Sequence, residues 1–231
     1  MRSILPTTAG IVNFYLDLLL IFLYYVYNMA ELYSYNKEWD GEYLSQSLLK
    51  SEYDYSFIAD EICRGAFLFP LFSENFCEEL TSDLESFDGW TENRHEHYPT
   101  NDVLLKDFNE SLYDIYGCIL KNILVPAVNA LYEMHLKPQN IEEETFIIRY
   151  KPSKQSMLDL HHDSSLFTCG IQLSNNLNYM GGELYMPQHK LSLKAEQGKV
   201  LIHPGRLTHK HGVRPVVSGE KYSLISFCKN G

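Results

Sequence analysis

The spacing of apolar and polar positions changes period near the middle of this chain. Phe76, Leu80, Leu84 and Phe87 recur at helical intervals behind Ser73, whose hydroxyl can cap an N-terminus, so a helix is predicted over 73–87. Leu112, Ile115, Tyr116, Ile119, Leu120 and Ile123 form a second stripe, which predicts two helical pieces over 109–135 or one helix kinked at Pro126. From Glu144 onward the pattern alternates. Strands are predicted over 145–151, 167–174, 183–186, 191–194, 199–203, 208–214 and 221–228. Turn signals separate them: Lys151-Pro152-Ser153, Asn175-Asn176, Gly181-Gly182, Gln197-Gly198, Pro204-Gly205 and Ser218-Gly219. Many short strands at such spacing imply a sandwich or barrel. With helices in front, the expected class is mostly β with a helical buttress (α+β): a double-stranded β-helix, or jelly roll, of cupin-like form.

Length changes the picture little: 231 residues suit one domain with a sizeable core and a short appendage. The predicted organisation is a hydrophobic N-terminal segment at 1–30, a polar, Tyr-rich linker with some helix at 31–61, and a domain at 62–231. Within the first of these, 11–27 is strongly apolar and barely long enough to span a bilayer. It reads as a signal anchor, as a cleaved signal peptide, or as an unused upstream start with translation from Met29. The first two readings imply membrane attachment or the endoplasmic-reticulum lumen; the third implies the cytoplasm. The net charge of −11 excludes nucleic acid as the main partner, because phosphate binding needs a basic face. The five cysteines are scattered and lack a CxxC, so they form neither a zinc motif nor a disulfide framework.

Candidate chemistry concentrates at Leu160-His161-His162-Asp163. On extended chain, residues two apart face the same way, so His161 and Asp163 can reach one cation. A third ligand from a distant strand would complete a two-histidine, one-carboxylate set, which leaves open positions on a non-haem iron. His209 and His211 share a strand face and are both eligible. Lys221, ten residues after His211, could hold the far carboxylate of a 2-oxo acid, the turn at Ser218-Gly219 forming a hairpin that brings its strand beside that of His211.

Several runs resemble the dioxygenase domain of procollagen lysyl hydroxylases: Phe146-Ile147-Ile148-Arg149-Tyr150-Lys151-Pro152, His161 through Thr168, Tyr179-Met180-Gly181-Gly182, and His203-Pro204-Gly205-Arg206-Leu207-Thr208-His209-Lys210-His211. Phe69-Pro70-Leu71-Phe72-Ser73, Cys77-Glu78-Glu79-Leu80 and Tyr98-Pro99-Thr100-Asn101-Asp102 are similar too. The resemblance covers about residues 62 to 228.

It implies Fe(II) held by His161, Asp163 and His211, with 2-oxoglutarate and O2 as co-substrates and L-ascorbate as rescuer of oxidised iron. It implies Lys221 as the 2-oxoglutarate anchor; because a buried carboxylate needs donors, Tyr150 on the strand before His-x-Asp and Thr168 on the strand after it are read as assisting donors, or else as ordinary core or sheet residues. The implied substrate is a peptidyl lysine in collagen-like sequence, Asp102 is a partner for its ammonium, and a homodimer is admitted. His209, His162 and His203 are then read as packing, rim and core histidines. The chain departs from the family in carrying Lys221 where animal enzymes carry arginine and in a shorter loop between His97 and Tyr98, and the hydroxylase domain is expected to stand without preceding glycosyltransferase domains. Lys221 and Gly182-Glu183-Leu184 also fit a prolyl hydroxylase. A non-catalytic jelly roll that binds a metal structurally is the reading from another class.

Overall fold

The computed structural model describes residues 31–92, 94 and 98–231; the apolar segment at 11–27 and His97 lie outside them. Among the described residues the strands are β1 (Asp60–Cys63), β2 (Ala66–Pro70), β3 (Asp102–Leu104), β4 (Ile141–Tyr150), β5 (Leu158–His161), β6 (Phe167–Gln172) and β7 (Tyr179–Gly181). They continue with β8 (Leu184–Met186), β9 (Leu191–Leu193), β10 (Lys199–Pro204), β11 (His211–Val213), β12 (Val216–Gly219) and β13 (Lys221–Asn230). Seven form a major sheet in the order β1-β2-β10-β6-β13-β4-β3, four a minor sheet in the order β5-β11-β8-β9, and β12 pairs with β7. The ladders are antiparallel, and the two main sheets enclose a cavity as a jelly roll.

Period-two alternation gives the major sheet two buried faces. Ile147, Leu224, Ile171, Cys169, Val200 and Ile202 belong to a core shared with the helices. Their neighbours Phe146, Ile148 and Tyr150 belong to a separate cluster on the cavity side. The helix Glu74–Ser86 is capped as predicted, Ser73 Oγ accepting from Phe76 N at 3.2 Å. Glu110–Ile119 and Val125–Leu131 are joined through a π turn at Leu120–Leu124 rather than broken. Pro126 lacks an N–H and its ring crowds the carbonyl four residues back; the wider turn absorbs both. The stretch Glu110–Leu131 is long and apolar enough to cross a membrane by composition, but it lies half inside the protein, with Leu112, Tyr116, Leu120 and Leu124 in the main core.

Two expectations need correction. Residues 31–61 are not a linker: Leu32, Trp39, Tyr43, Leu44, Leu48 and Tyr55 are buried in the main core. Trp39 and Tyr43 pack edge-on against Phe76, and Ser45 N donates to Leu71 O at 2.9 Å. The strands carrying His211 and Lys221 do not form a hairpin either. β11 pairs with β5 and β8 in the minor sheet, whereas β13 lies between β6 and β4 in the major one. The chain between them detours through β12, so His211 and Lys221 meet across the cavity from opposite walls.

Candidate metal centre

His161 ends β5 and His211 opens β11, and the register places them opposite each other. Two residues past His161, the chain turns Asp163 inward. Each of His161, Asp163 and His211 offers one ligand atom, and the three atoms lie within 4.8 Å of one another. Both histidines are fixed by carbonyls: His161 Nδ1 donates to Asp159 O at 2.8 Å and His211 Nδ1 to His209 O at 3.0 Å. A carbonyl only accepts, so Nδ1 carries the proton and Nε2 is left with its lone pair. Those two Nε2 atoms stand 3.2 and 3.7 Å from Asp163 Oδ1. Asp163 Oδ1 is buried and has no hydrogen-bond donor. A buried carboxylate oxygen without a donor is costly, and a cation held between it and two imidazole lone pairs removes that cost. The residues therefore fit a divalent metal with open positions, the donor set suiting non-haem iron.

Burial works against ionisation of Asp163. His211, His161 and His203, with the hydrogen bond from Thr168, outweigh it and hold the carboxyl well below the ordinary range. Burial pushes His211 down to about 4, so this imidazole is neutral, as a ligand must be. His161 is pulled upward by Asp163 despite its own desolvation.

Across the cavity of about 480 Å³, Lys221 is 6% exposed, and its Nζ donates to Gly182 O at 2.8 Å. Among the described residues it makes no ion pair. Burial lowers its pKa to about 8, partly opposed by Glu183. A buried ammonium with a single carbonyl acceptor is poised for an anion. Gly182 is required here: at φ +74° a Cβ would meet Val216 Cγ2 at 2.9 Å and Lys221 Cδ at 3.2 Å. Tyr150 lies opposite Lys221 in register, the ammonium 5.5 Å from its ring centroid, and it also lines the cavity.

Thr168 has a different partner from the one predicted. Its hydroxyl donates to Asp163 Oδ2 at 2.6 Å, with Ser165 Oγ 2.8 Å away, so its one proton orients the carboxylate instead of reaching a co-substrate. Asp102 is also corrected. It is wholly buried, takes Arg94 Nη2 at 2.8 Å and hydrogen bonds from Thr91 and Thr100, and does not line the cavity. His162 is exposed at the rim. Arg149 lies over the Trp90 ring on the helical side. His209 turns outward, its Nε2 donating to Arg64 O at 3.0 Å.

The sequence reading undervalued His203. It is buried in the centre, with Nε2 3.8 Å from Asp163 Oδ2 and its ring 4.8 Å from that of His211. Its alternation with Leu201, which also lines the cavity, is the signal that could have placed it there. Arg94 and Tyr98, the latter with its ring 5.1 Å from that of His161, sit in a segment without periodicity and gave no such signal.

Similarity to known proteins agrees with this geometry. The chain is 30% identical over 202 residues to the human multifunctional procollagen lysine hydroxylase and glycosyltransferase LH3, a match covering 82% of this chain and 27% of that protein. It is 26% identical over 215 residues to human procollagen-lysine,2-oxoglutarate 5-dioxygenase 2, covering 88% of this chain and 28% of that protein. The chain thus spans about a quarter of the length of these curated relatives. Among solved structures, a Pseudomonas putida prolyl-4-hydroxylase superposes with a TM-score of 0.57 at 14% identity, covering 77% of this chain and 96% of that one. The viral collagen prolyl hydroxylase of Paramecium Bursaria Chlorella virus-1, in its 2OG complex, gives 0.51 at 17%, covering 72% of this chain and 98% of that one. These likenesses establish the fold. No protein-family profile matches the chain.

Proposed function

From a chain that has the fold of the 2OG-Fe(II) oxygenases and resembles the procollagen-lysine dioxygenases along most of its length, we propose a 2-oxoglutarate-dependent dioxygenase that hydroxylates a peptidyl lysine, with succinate and CO2 as co-products. The observation that carries the reading is one cavity with a buried carboxylate, one of whose oxygens has no donor, beside imidazoles on one wall and a buried ammonium on the other.

In this reading His161, Asp163 and His211 would hold Fe(II), which when bound supplies O2 activation coupled to oxidation of a C–H bond. Thr168 keeps Asp163 turned toward the metal, and the carbonyls of Asp159 and His209 keep both imidazoles in the ligating tautomer. Lys221 would neutralise the distal carboxylate of 2-oxoglutarate, and Tyr150 would close the cavity over it. Phe146, Ile148 and Ile225 line the space between and would keep water from a closed site. L-Ascorbate would return oxidised iron to Fe(II), and collagen-like peptide is the substrate class the relatives' names suggest.

Peptidyl proline is the second reading, and a specific observation favours it. Among the described residues lining the cavity, Asp163 is the only carboxylate, so a target lysine finds no second acid inside. Collagen-like peptides carrying Gly-x-Lys or Gly-x-Pro separate the two. The lysine reading expects a +16 mass shift on lysine with matching succinate; a shift confined to proline would replace it.

A further inference from the structure

A second group of ligating side chains lies outside this cavity. Cys63 at the end of β1, His189 in the 3-10 turn Pro187–His189 and His209 before β11 each offer one atom, all within 4.8 Å of one another. Three segments distant in sequence converge there. The His189 and His209 rings stack at 4.5 Å between centroids, and Cys63 is a free thiol.

Each imidazole is held by a backbone carbonyl at one nitrogen, as metal-bound histidines commonly are. His209 Nε2 donates to Arg64 O at 3.0 Å, and His189 Nε2 donates to Thr208 O at 3.1 Å. Each such bond fixes the tautomer and leaves the other nitrogen a lone pair. On His209 that nitrogen, Nδ1, is met by the Thr208 hydroxyl at 2.8 Å, a contact that a rotating hydroxyl can release. Gly65, at φ +74°, shapes the β1–β2 turn against the ring: a Cβ there would sit 3.6 Å from His209 Cε1.

We propose that Cys63, His189 and His209 form a second metal site, for a borderline dication of the Zn(II) class, completed by water. One thiolate and two imidazoles are the donors such an ion selects, and hard oxygen-seeking cations such as Mg(II) and Ca(II) are disfavoured. Metal–ligand bonds of about 2.0 to 2.3 Å draw the three atoms inward, and the thiol proton is released on binding. The bound ion clips together the β1–β2 turn, the turn after β8 and the loop before β11. The His209 carbonyl in that loop holds the His211 ring, so the clip also steadies the first centre. The assignment stands whether or not the hydroxylase reading is correct.

Co(II) titration of the metal-free full-length protein under anaerobic conditions tests it, because thiolate-to-cobalt charge transfer in the near ultraviolet reports sulfur ligation. The His161–Asp163–His211 group contains no sulfur and cannot produce that band. The proposal expects a thiolate band that saturates by two equivalents in the wild-type protein, whose two centres share the cobalt, and at one equivalent when the first centre is removed. Asp163→Ala retains it and Cys63→Ser abolishes it, while the weaker d–d absorption of cobalt at the first centre persists and shows that Cys63→Ser is folded. His189→Ala, on a half-exposed turn, weakens cobalt binding at this site at least ~10-fold. Absence of the band in the wild-type protein, or its survival in Cys63→Ser or undiminished in His189→Ala, overturns the site.

Discussion

At the scale of single residues, the proposed site rests on a carboxylate, two imidazoles and an ammonium, each set by its neighbours. His161, Asp163 and Lys221 were legible because His-x-Asp on extended chain and a late cation are short-range patterns. Spacing alone left His209 and His211 both eligible, since they share a strand face in sequence, and the family resemblance chose His211. In the fold the 209 ring turns toward Arg64 and the 211 ring toward Asp163. Replacing Lys221 by Met removes a charge-assisted contact, and KM for 2-oxoglutarate should rise roughly 10- to 100-fold with kcat less affected. Burial lowers this ammonium from 10.5 to about 8, so kcat/KM for 2-oxoglutarate should fall as pH rises through about 8. Lys221→Arg, whose guanidinium stays charged, should remove that bend. For stability the sign is opposite: between pH 8 and 10.5 the unfolded chain holds the extra proton, so the cost of burying Lys221 fades as pH rises. Thr168→Val leaves Asp163 Oδ2 without its donor and should weaken Fe(II) binding about 10- to 100-fold, measured by anaerobic titration.

At the scale of elements, alternation announced the long strands, and β4, β6, β10 and β13 run close to their predicted bounds. Over three to five residues alternation is a weak signal, which found β8, β9 and β11 and missed β3, β5, β7 and β12. The segment 31–61 was misread for another reason. Its polar residues hide Trp39, Tyr43 and Tyr55, which are buried by partners far away in sequence. Trp39 packs edge-on against Phe76 and tilted against Tyr43, and donates its indole N–H to Leu32 O at 3.1 Å. Trp39→Ala should therefore cost about 3 to 5 kcal/mol and lower Tm by roughly 10 °C in a thermal melt. A melt unchanged by this substitution would restore the linker reading of 31–61.

At the scale of the molecule, the proposed function rests on two sheets whose pairing no local pattern encodes. The minor sheet brings His161 and His211 into register; the major sheet presents Lys221, Tyr150 and Thr168; one cavity lies between them. Neither wall suffices alone, which is why the hairpin expected from the Ser218-Gly219 turn failed while the residues it was meant to unite still face one cavity. Anaerobic addition of Fe(II) and 2-oxoglutarate, followed by visible spectroscopy, tests the joint action of the two walls most directly, because iron absorbs there by charge transfer when a 2-oxo acid binds it. The wild-type protein should develop the band with one equivalent of iron, Asp163→Ala should show none, and Lys221→Met should need roughly 10- to 100-fold more 2-oxoglutarate to reach it. A wild-type protein without the band, or an Asp163→Ala protein that keeps it in full, would contradict the assignment.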